Sequence, residues 1–428
     1  MLHFLKTLPL CLVLLSTTAL GFRASVVKVD ITPKESKWLV GYAGRQYPSD
    51  GVHDPIFHRI VAMEQGGTQF ILISSDLGGY SPSFYLQFCR ELEEATGIGP
   101  NQVWWTVTHT HSGPMVGPVT LKRSVGGKGY SNKPDTEYPK KVKSLLIRGI
   151  EEAVGSLEPA RVAVGKGMSL ANINRRARTI EGKTVLGLNP YGPVDRELGL
   201  IRLERPDGSL IALIANYAMH GTHLSGINRK ISGDAQGIVA GYVEEKLGAP
   251  MLYVNGAAGN ISPIYNFHRN FKVINLFNVL LGDPILEANQ SIRVDPSSDS
   301  SLWLGRTVIE TPLKEGLPWP EDLPDYHRVT SSGREMVRVP VQFLRIGKNT
   351  VIWSAPLELF CELAISIREQ SPFANTFFFG YSNGWLGYMP TKQAFSEGGY
   401  EISACPYTEQ VERDFTQGVI QYLHAMHR

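Results

Sequence analysis

The sequence lacks an excess of charge of either sign. Its 428 residues contain 42 Lys and Arg against 40 Asp and Glu, which gives a formal net charge of +2 at pH 7. Charged residues make up only 19% of the chain, less than a soluble domain usually carries. Because a general nucleic-acid binder shows a basic excess or a basic stripe, we exclude nucleic acid as a partner. The hydrophobic fraction of 43% excludes a disordered chain.

Cysteine is also scarce. Beyond Cys11, which lies in an N-terminal apolar run, the chain has only Cys89, Cys361 and Cys405. Three cysteines allow at most one internal disulfide, and their spacing is not that of a CxxC-type metal site. We therefore predict three buried or inert cysteines and no disulfide framework.

Long apolar runs are absent after the N-terminus. The run Leu8–Leu15 follows Lys6 and precedes the small residues Ser16–Gly21, which is the layout of a secretory signal. A buried N-terminal strand or helix is the alternative. We predict a signal peptide over residues 1–21 and one domain over residues 22–428, with a secreted or periplasmic location. No later stretch is long and apolar enough for a membrane span, so we expect a soluble mature protein.

Strand and helix patterns alternate along the chain. This alternation predicts an α/β fold with mixed β-sheets flanked by helices in a single large domain. The clearest elements are a strand over Phe70–Ser75, a helix from Ser81 and Pro82 to Gly97, a helix over Tyr138–Val154, a helix over Asp234–Leu247, and hairpins around Pro206–Ser209 and Gly347–Asn349. The pattern is weakest over residues 264–335, where the Pro-rich Thr311–Asp325 is typical of a lid, a binding loop or a surface excursion without a role.

Histidines occur in two short clusters, each at the end of a predicted strand. His109 and His111 follow the strand Val103–Val107, and both imidazoles point to one face if that strand continues. His220 and His223 follow a second strand beside a glycine. Such pairs are a common way to hold a metal, and imidazoles favour zinc, although a hydrogen-bonded pair without metal gives the same pattern.

Three further segments carry polar groups. The loop Asn255–Pro263 is built from small residues that let backbone amides face an oxyanion, and its Ser262 can donate to a substrate or act as a nucleophile. The loop is not a GxSxG elbow, so a serine triad is poorly supported, and a tight loop with a capping serine is the alternative. Glu358 lies among apolar neighbours and needs a partner such as a metal. Tyr388 and Tyr400 have no distinctive local pattern.

In this order along the chain, these segments resemble the neutral ceramidase family. The most specific match is Thr108–Pro114, and the twelve-residue spacing of Tyr388 and Tyr400 also fits. The other matching segments are Val29–Pro33, Gly51–His53, Asn172–Arg175, Asp195–Glu197 and Ser232–Gly237. The resemblance covers nearly all of the chain after residue 21, and it implies the family's catalytic domain without a C-terminal immunoglobulin-like domain.

The resemblance also implies a site and a reaction. It implies four Zn²⁺ ligands, which are His109, His220, Glu358 and Tyr388. It places His111 beside the metal, and it brings Arg175, Ser262 and Tyr400 to the substrate amide or its transition state. The implied enzyme is a zinc hydrolase in which an activated water cleaves the N-acyl amide of ceramide or a related lipid or amine.

Departures from the family pattern leave alternatives open. Asn260 stands where an aspartate is usual, Ile264 stands where an asparagine is usual, and Gly221–His223 replaces a short Pro/Ala-x-Ser segment. The role of Ser262 is therefore open, and His223 is either an added ligand or, as we expect, a structural residue. Other hypotheses are an ester, lactone or phosphoester hydrolase and a non-catalytic exported binding protein. Since net charge is near zero, peripheral membrane contact by a lipid hydrolase would use apolar loops.

Overall fold

The computed structural model describes residues 21–117, 135–266, 271–295 and 297–428. The predicted signal peptide lies outside these residues except for Gly21. The strands are β1 (Arg23–Asp30), β2 (Gly51–Val52), β3 (Phe57–Gln65), β4 (Thr68–Ser75), β5 (Val103–Val107), β6 (Glu158–Pro159), β7 (Arg161–Met168), β8 (Asn172–Arg178), β9 (Thr184–Asn189), β10 (Glu197–Glu204), β11 (Leu210–Tyr217), β12 (Lys230–Ile231), β13 (Met251–Asn255), β14 (Ile261–Pro263), β15 (Leu302–Pro312), β16 (His327–Val329), β17 (Glu335–Ile346), β18 (Thr350–Ser354), β19 (Glu358–Leu359), β20 (Asn375–Phe379) and β21 (Tyr388–Met389). The helices are α1 (Pro82–Thr96), α2 (Glu137–Gly155), α3 (Asp234–Leu247), α4 (Phe271–Ile274), α5 (Asp283–Ser291), α6 (Cys361–Glu369), α7 (Lys392–Glu397), α8 (Tyr400–Ser403) and α9 (Val411–His427), with a π-helical turn at Asn278–Gly282 and a 3₁₀ turn at Pro324–Tyr326.

Three mixed sheets form the body of the molecule. The first sheet has the order β5-β4-β3-β1-β6, the second has the order β13-β11-β10-β7, and the third has the order β15-β17-β18-β20 with β16 added beside β17. Each sheet contains one parallel pair, which is β4 with β5, β11 with β13, and β18 with β20. The small sheet β14-β8-β9 and the parallel pairs β2 with β12 and β19 with β21 join the loops around them.

The three sheets share one central core. Leu72 of the first sheet, Leu252 of the second and Ile352 of the third belong to the same buried apolar cluster. The other face of each sheet is covered by helices, with α1 and α2 on the first, α3 and α5 on the second, and α6 and α9 on the third. This arrangement confirms the predicted α/β fold with mixed sheets flanked by helices in one large domain.

Local patterns predicted the helix ends well. The Ser81 hydroxyl accepts a hydrogen bond from the Ser83 amide, Pro82 occupies the first helical position of α1, and Gly97 ends the helix with φ of 75°. Gly248 closes α3 in the same left-handed conformation, with φ of 67°. These ends were readable because capping depends on residues adjacent in sequence.

The segment 264–335, where the sequence pattern is weakest, is regular over much of its length. It contains α5 and the eleven-residue strand β15, which pairs with β17 over its whole length. The sequence pattern does not reveal β15, because both faces of this strand are only partly covered. Its side chains therefore do not alternate cleanly between buried and exposed positions. The Pro-rich part of this segment contributes no residue to the cavity described below, as far as the described residues show.

Cys89, Cys361 and Cys405 are buried free thiols, as predicted. Burial raises the pKa of Cys89 and of Cys405 to about 12, so both remain protonated and unreactive at neutral pH. None of the helices in the described residues combines the length and hydrophobicity needed to span a bilayer.

The first sheet contains a buried histidine that should make stability depend on pH. His58 is fully buried, its Nδ1 lies 2.6 Å from the Ser75 hydroxyl, and burial lowers its pKa from 6.5 to about 4. The unfolded chain binds a proton at His58 below pH 6.5, whereas the folded chain does not until about pH 4. We therefore expect the free energy of unfolding to fall by up to about 3 kcal/mol as pH decreases across this window.

Denaturant unfolding of wild type and His58→Gln between pH 7 and pH 4 tests this prediction. Glutamine keeps a donor and an acceptor near Ser75 and Val142, the two neighbours of the ring, but cannot take up a proton. The variant should lose less stability than wild type on acidification. Equal losses in both proteins would contradict the assignment to His58.

Candidate metal centre

The centre lies where strands from all three sheets end. His109 and His220 lie in the loops that follow β5 and β11, and Glu358 begins β19, the short strand after β18. The loops after β5 and β11 touch where Thr110 forms a bridge with Gly221, and the loop after β13 contacts β19 because the Gly259 amide donates to the Leu359 carbonyl at 2.8 Å. Each of these sheets packs on the shared central core, so residues distant in sequence meet where their strands end.

The strand that precedes His109 has the predicted bounds Val103–Val107 and does not continue beyond them. β5 ends at Val107, and His109 has the left-handed φ of 61°. Continuation of the strand, the condition under which both histidines would lie on one strand face, is therefore not met. The two imidazoles meet nevertheless, with 3.2 Å between the Nε2 atoms of His109 and His111, because the left-handed turn brings the second ring back toward the first.

Three imidazoles converge at one point. The Nε2 atoms of His109 and His220 are 3.1 Å apart, and candidate ligand atoms of His109, His111 and His220 all lie within 4.8 Å of one another. All three residues are buried. Burial, followed by the charges of neighbouring groups that include Arg175, lowers the pKa of His111 and of His220 well below the usual range, so both rings are neutral at pH 7.

Backbone carbonyls distinguish two of these rings from the third. The Nδ1 atom of His109 contacts the Gly78 carbonyl, and the Nδ1 atom of His220 lies 2.9 Å from the Ala258 carbonyl. A carbonyl accepts only from N–H, so each Nδ1 carries the proton and each Nε2 presents a lone pair. This second hydrogen bond is typical of metal-ligating histidines. The Nδ1 of His111 has no such partner among the residues described.

Glu358 supplies a carboxylate to the same point. Its Oε1 accepts a hydrogen bond from the Trp385 indole at 2.8 Å, whereas its Oε2 is buried and has no hydrogen-bond partner in the described part of the chain. Oε2 lies 3.5 Å from His109 Nε2 and 3.4 Å from His220 Nε2. Burial alone would raise the pKa of Glu358, but the neighbouring His109 ring and the Arg175 guanidinium hold it below the usual range, so the carboxylate is ionised.

Tyr388 is placed beside this carboxylate by the sheet. β19 and β21 are parallel, and Glu358 pairs with Tyr388 in their register. The two residues are thirty positions apart in sequence, so this neighbourhood depends on the fold. Burial raises the pKa of Tyr388 well above the usual range, which keeps the phenol protonated in the absence of a metal.

These groups fit a divalent cation. Two imidazole lone pairs and an ionised carboxylate oxygen face one another without a proton among them, an arrangement that is costly when buried unless a positive charge lies between them. Three protein ligands of this kind are typical of catalytic zinc sites. His109, His220 and Glu358 form one such set, and His109, His111 and His220 form another.

Arg175 reaches the centre from β8. Its Nε donates to Glu401 at 2.9 Å, and its guanidinium lies 5.5 Å from the centre of the Tyr388 ring. Its Nη2 is buried without a hydrogen-bond partner among the described residues. Glu401 also accepts from Arg176 at 2.8 Å, so one buried carboxylate fixes two adjacent arginines and leaves the Nη2 amino group of Arg175 free for a ligand.

Hydrogen bonds from neighbouring segments hold the loop that carries Asn260 and Ser262. Ser262 is buried in β14 opposite Ile173, and its hydroxyl accepts from the Asn266 amide at 3.1 Å. Asn260 donates to Glu362 at 2.7 Å and accepts from the Cys361 amide at 3.0 Å. An aspartate at position 260 would oppose a second carboxylate at that distance. The amide is therefore the side chain that this neighbourhood requires.

All eight site residues that the resemblance implies line one cavity of about 580 Å³. They are His109, His111, Arg175, His220, Ser262, Glu358, Tyr388 and Tyr400. The cavity is also lined by Thr222, Tyr381 and Trp385, which the sequence did not indicate. His223 does not line it, because its ring faces away with Nδ1 2.7 Å from the Tyr265 carbonyl, which fits the structural role that we expected.

Comparison of the sequence with known proteins finds a matching family and several relatives. Residues 22–261 match the model of the family described as neutral/alkaline non-lysosomal ceramidase, N-terminal. The chain is 25% identical to the neutral ceramidase of Pseudomonas aeruginosa, over 58% of this chain and 38% of that protein. It is 27% identical to neutral ceramidase A of Dictyostelium discoideum, over 51% of this chain and 31% of that protein. The matched region thus spans about a third of each relative.

Comparison with solved structures supports the fold. The crystal structure of the Pseudomonas aeruginosa neutral ceramidase superposes with a TM-score of 0.76 and 18% identity, covering 95% of this chain and 74% of that one. A ceramidase complexed with C2 gives the same TM-score and covers 75% of that chain. Because the family model matches more than half of the residues, the chain belongs to the neutral/alkaline non-lysosomal ceramidase family.

Proposed function

We propose that the chain is a zinc-dependent amidohydrolase that cleaves the N-acyl amide bond of ceramide or a related N-acyl lipid or amine. The observation that carries this proposal is the meeting of two imidazole lone pairs and an unpaired carboxylate oxygen in the wall of one cavity. Membership of the ceramidase family supports the same reaction and the same substrate class.

His109, His220 and Glu358 would hold the zinc ion, with Tyr388 as a fourth ligand. The carbonyl-anchored Nδ1 atoms of the two histidines favour this set over one that includes His111. Bound zinc would polarise the amide carbonyl and lower the pKa of a water to near neutrality. Imidazole suits zinc, and two histidines with one glutamate form a known catalytic zinc set.

His111 is suited to moving a proton. Its ring is neutral, and its Nε2 faces the centre at 3.2 Å from His109 Nε2, so it can accept a proton there as water attacks the carbonyl. The same ring can return that proton to the leaving nitrogen. Its orientation is fixed by Gly41, where an added Cβ would lie 2.3 Å from His111 Cγ, and by the edge of Tyr42 at 5.0 Å.

Arg175, Ser262 and Tyr400 would bind the amide and stabilise its developing negative charge. The free N–H group of Arg175 is a charged donor held in place by Glu401 before substrate arrives. Donors that are already oriented stabilise a transition state without paying for reorganisation. Tyr400 is 39% exposed, so it lies at the entrance of the cavity, whereas Ser262 lies inside.

Apolar side chains suit the cavity to an acyl chain. Val40, Val107 and Trp385 line its wall, and the half-exposed Leu186 and Ile227 lie at its rim. A lipid substrate would enter through this rim, and the same side chains would provide peripheral membrane contact. An exported location, proposed from residues 1–21, would place the enzyme where extracellular or periplasmic lipids are accessible.

A substrate panel tests the proposal. Purified protein would be assayed with a fluorescent N-acyl sphingosine series and with esters of the same acyl chains, with and without a metal chelator. We expect amide cleavage, its loss with chelator, and its recovery on adding zinc. Cleavage of esters alone would favour a different hydrolase, and no turnover together with unaltered ligand binding after metal removal would favour a binding protein.

A further inference from the structure

Tyr381 lies against the metal centre although no sequence motif marks it. It belongs to the segment between β20 and β21, lines the cavity and is only 2% exposed. Its ring centre lies 4.4 Å from that of His109, with the ring planes tilted by 33°, and 6.2 Å from that of His220. The phenol is therefore in contact with a proposed zinc ligand and forms part of the cavity wall.

The hydroxyl of Tyr381 is unusual among the buried tyrosines. The hydroxyls of Tyr85, Tyr253 and Tyr407 donate to backbone carbonyls at 2.8–2.9 Å. The Tyr381 hydroxyl has no hydrogen-bond partner anywhere in the described ranges. An unpaired buried hydroxyl destabilises the folded protein, so its presence at the wall of a cavity indicates a partner that arrives with the ligand.

The backbone of Tyr381 is also held in an unfavourable conformation. Its φ is +54°, in the left-handed region that aromatic side chains rarely adopt. The conformation is maintained by its neighbours, because the Tyr381 amide donates to the Leu357 carbonyl at 3.3 Å and the Asn383 amide donates to the Trp105 carbonyl at 2.9 Å. Strain of this kind, when the surrounding structure enforces it, is concentrated at functional sites.

From these three observations we infer that Tyr381 is a further catalytic residue, whose hydroxyl donates a hydrogen bond to the oxygen of the reacting acyl group. The identity of that group as an amide rests on the proposed function. No proton is transferred, since the phenol serves as a fixed donor. The hydroxyl is positioned before substrate binds, and its interaction becomes stronger as charge develops on the oxygen.

Tyr381→Phe separates this role from a structural one. The variant keeps the ring that packs on His109 and removes only the hydroxyl. We expect kcat for the N-acyl amide to fall by about 10- to 100-fold with little change in KM, with the zinc content unchanged. The melting temperature should stay the same or rise, because an unpaired buried polar group is removed.

Tyr85→Phe is the matched control. The Tyr85 hydroxyl donates to the Val103 carbonyl at 2.9 Å and does not line the cavity. Its removal should lower the melting temperature and leave kcat unchanged, the reverse of the pattern expected at Tyr381. If Tyr381→Phe keeps full kcat, or loses zinc or melts earlier as a structural residue would, the inference is wrong.

A binding measurement keeps this test independent of turnover. A long-chain N-alkylsulfonamide presents two acceptor oxygens in a tetrahedral arrangement, and calorimetry would compare its affinity for wild type and Tyr381→Phe. We expect about tenfold weaker binding to the variant. If wild type hydrolyses no amide but this difference remains, the proposed function fails and the role of Tyr381 stands. Equal affinities would overturn the role of Tyr381 whatever the substrate.

Discussion

His220→Ala is expected to remove zinc from the protein and to lower kcat/KM for an N-acyl amide by at least about 10³-fold, because metal activation supplies several kcal/mol of transition-state stabilisation. His220 is fully buried, and its Nε2 lies 3.1 Å from His109 Nε2 and 3.4 Å from Glu358 Oε2. Alanine removes one of the two proposed imidazole ligands and leaves His109, Glu358 and the uncommon ligand Tyr388, which is not one of the donor sets typical of catalytic zinc sites. Metal analysis by mass spectrometry and steady-state kinetics measure the two effects.

His223→Gln is the control for this prediction. His223 lies three positions away and is equally buried, but its Nδ1 faces the Tyr265 carbonyl and its ring does not line the cavity. The variant should keep one zinc per chain and most of the activity. Zinc lost from His223→Gln would show that His223 is an added ligand, and zinc absent from wild type or retained in His220→Ala would refute the proposed ligand set.

Elements stabilised by nearby residues could be predicted from the sequence, and elements that depend on distant contacts could not. The hairpin around Gly347–Asn349 and the helix from Pro82 to Gly97 follow from local turn and capping residues. The left-handed turn at His109 depends instead on Gly78 and Gly221, which belong to other loops. A Cβ at Gly221 would lie 2.3 Å from the His109 carbonyl, so a small residue in one loop permits the turn in the other.

The residues of the site also divide into those that the sequence indicated and those that only the fold reveals. Local patterns indicated the histidine pairs, and the family resemblance added Arg175, Tyr388 and Tyr400, which lack a local pattern. Neither the local patterns nor the resemblance indicated Tyr381, because a positive φ at tyrosine and an unpaired hydroxyl cannot be read from sequence. The departure at Asn260 is understood only in the fold, where Glu362 supplies the carboxylate that the asparagine amide binds.

Arg175→Ala is expected to lower kcat by about 10²- to 10³-fold, the effect typical of removing one charge-stabilising donor from an active site. The fold should tolerate the change, because Glu401 remains paired with Arg176 at 2.8 Å. Zinc content should remain at the wild-type level, since Arg175 is not among the proposed ligands. Stopped-flow or steady-state kinetics, together with metal analysis, distinguish this result from loss of the metal.

Glu401→Gln then shows whether the carboxylate acts through Arg175. The neutral side chain weakens the hydrogen bond to Arg175 Nε, now 2.9 Å long, so we expect kcat to fall by about tenfold when Arg175 is present and to change little when residue 175 is alanine. Glu397→Gln is the matched control, because Glu397 pairs with Arg176 and Arg178 in the same network but makes no ion pair with Arg175 among the described residues. Equal losses from Glu401→Gln in both backgrounds would mean that Glu401 supports the cavity independently of Arg175. A loss that requires Arg175 would assign to Glu401 the orientation of the donor that stabilises the transition state.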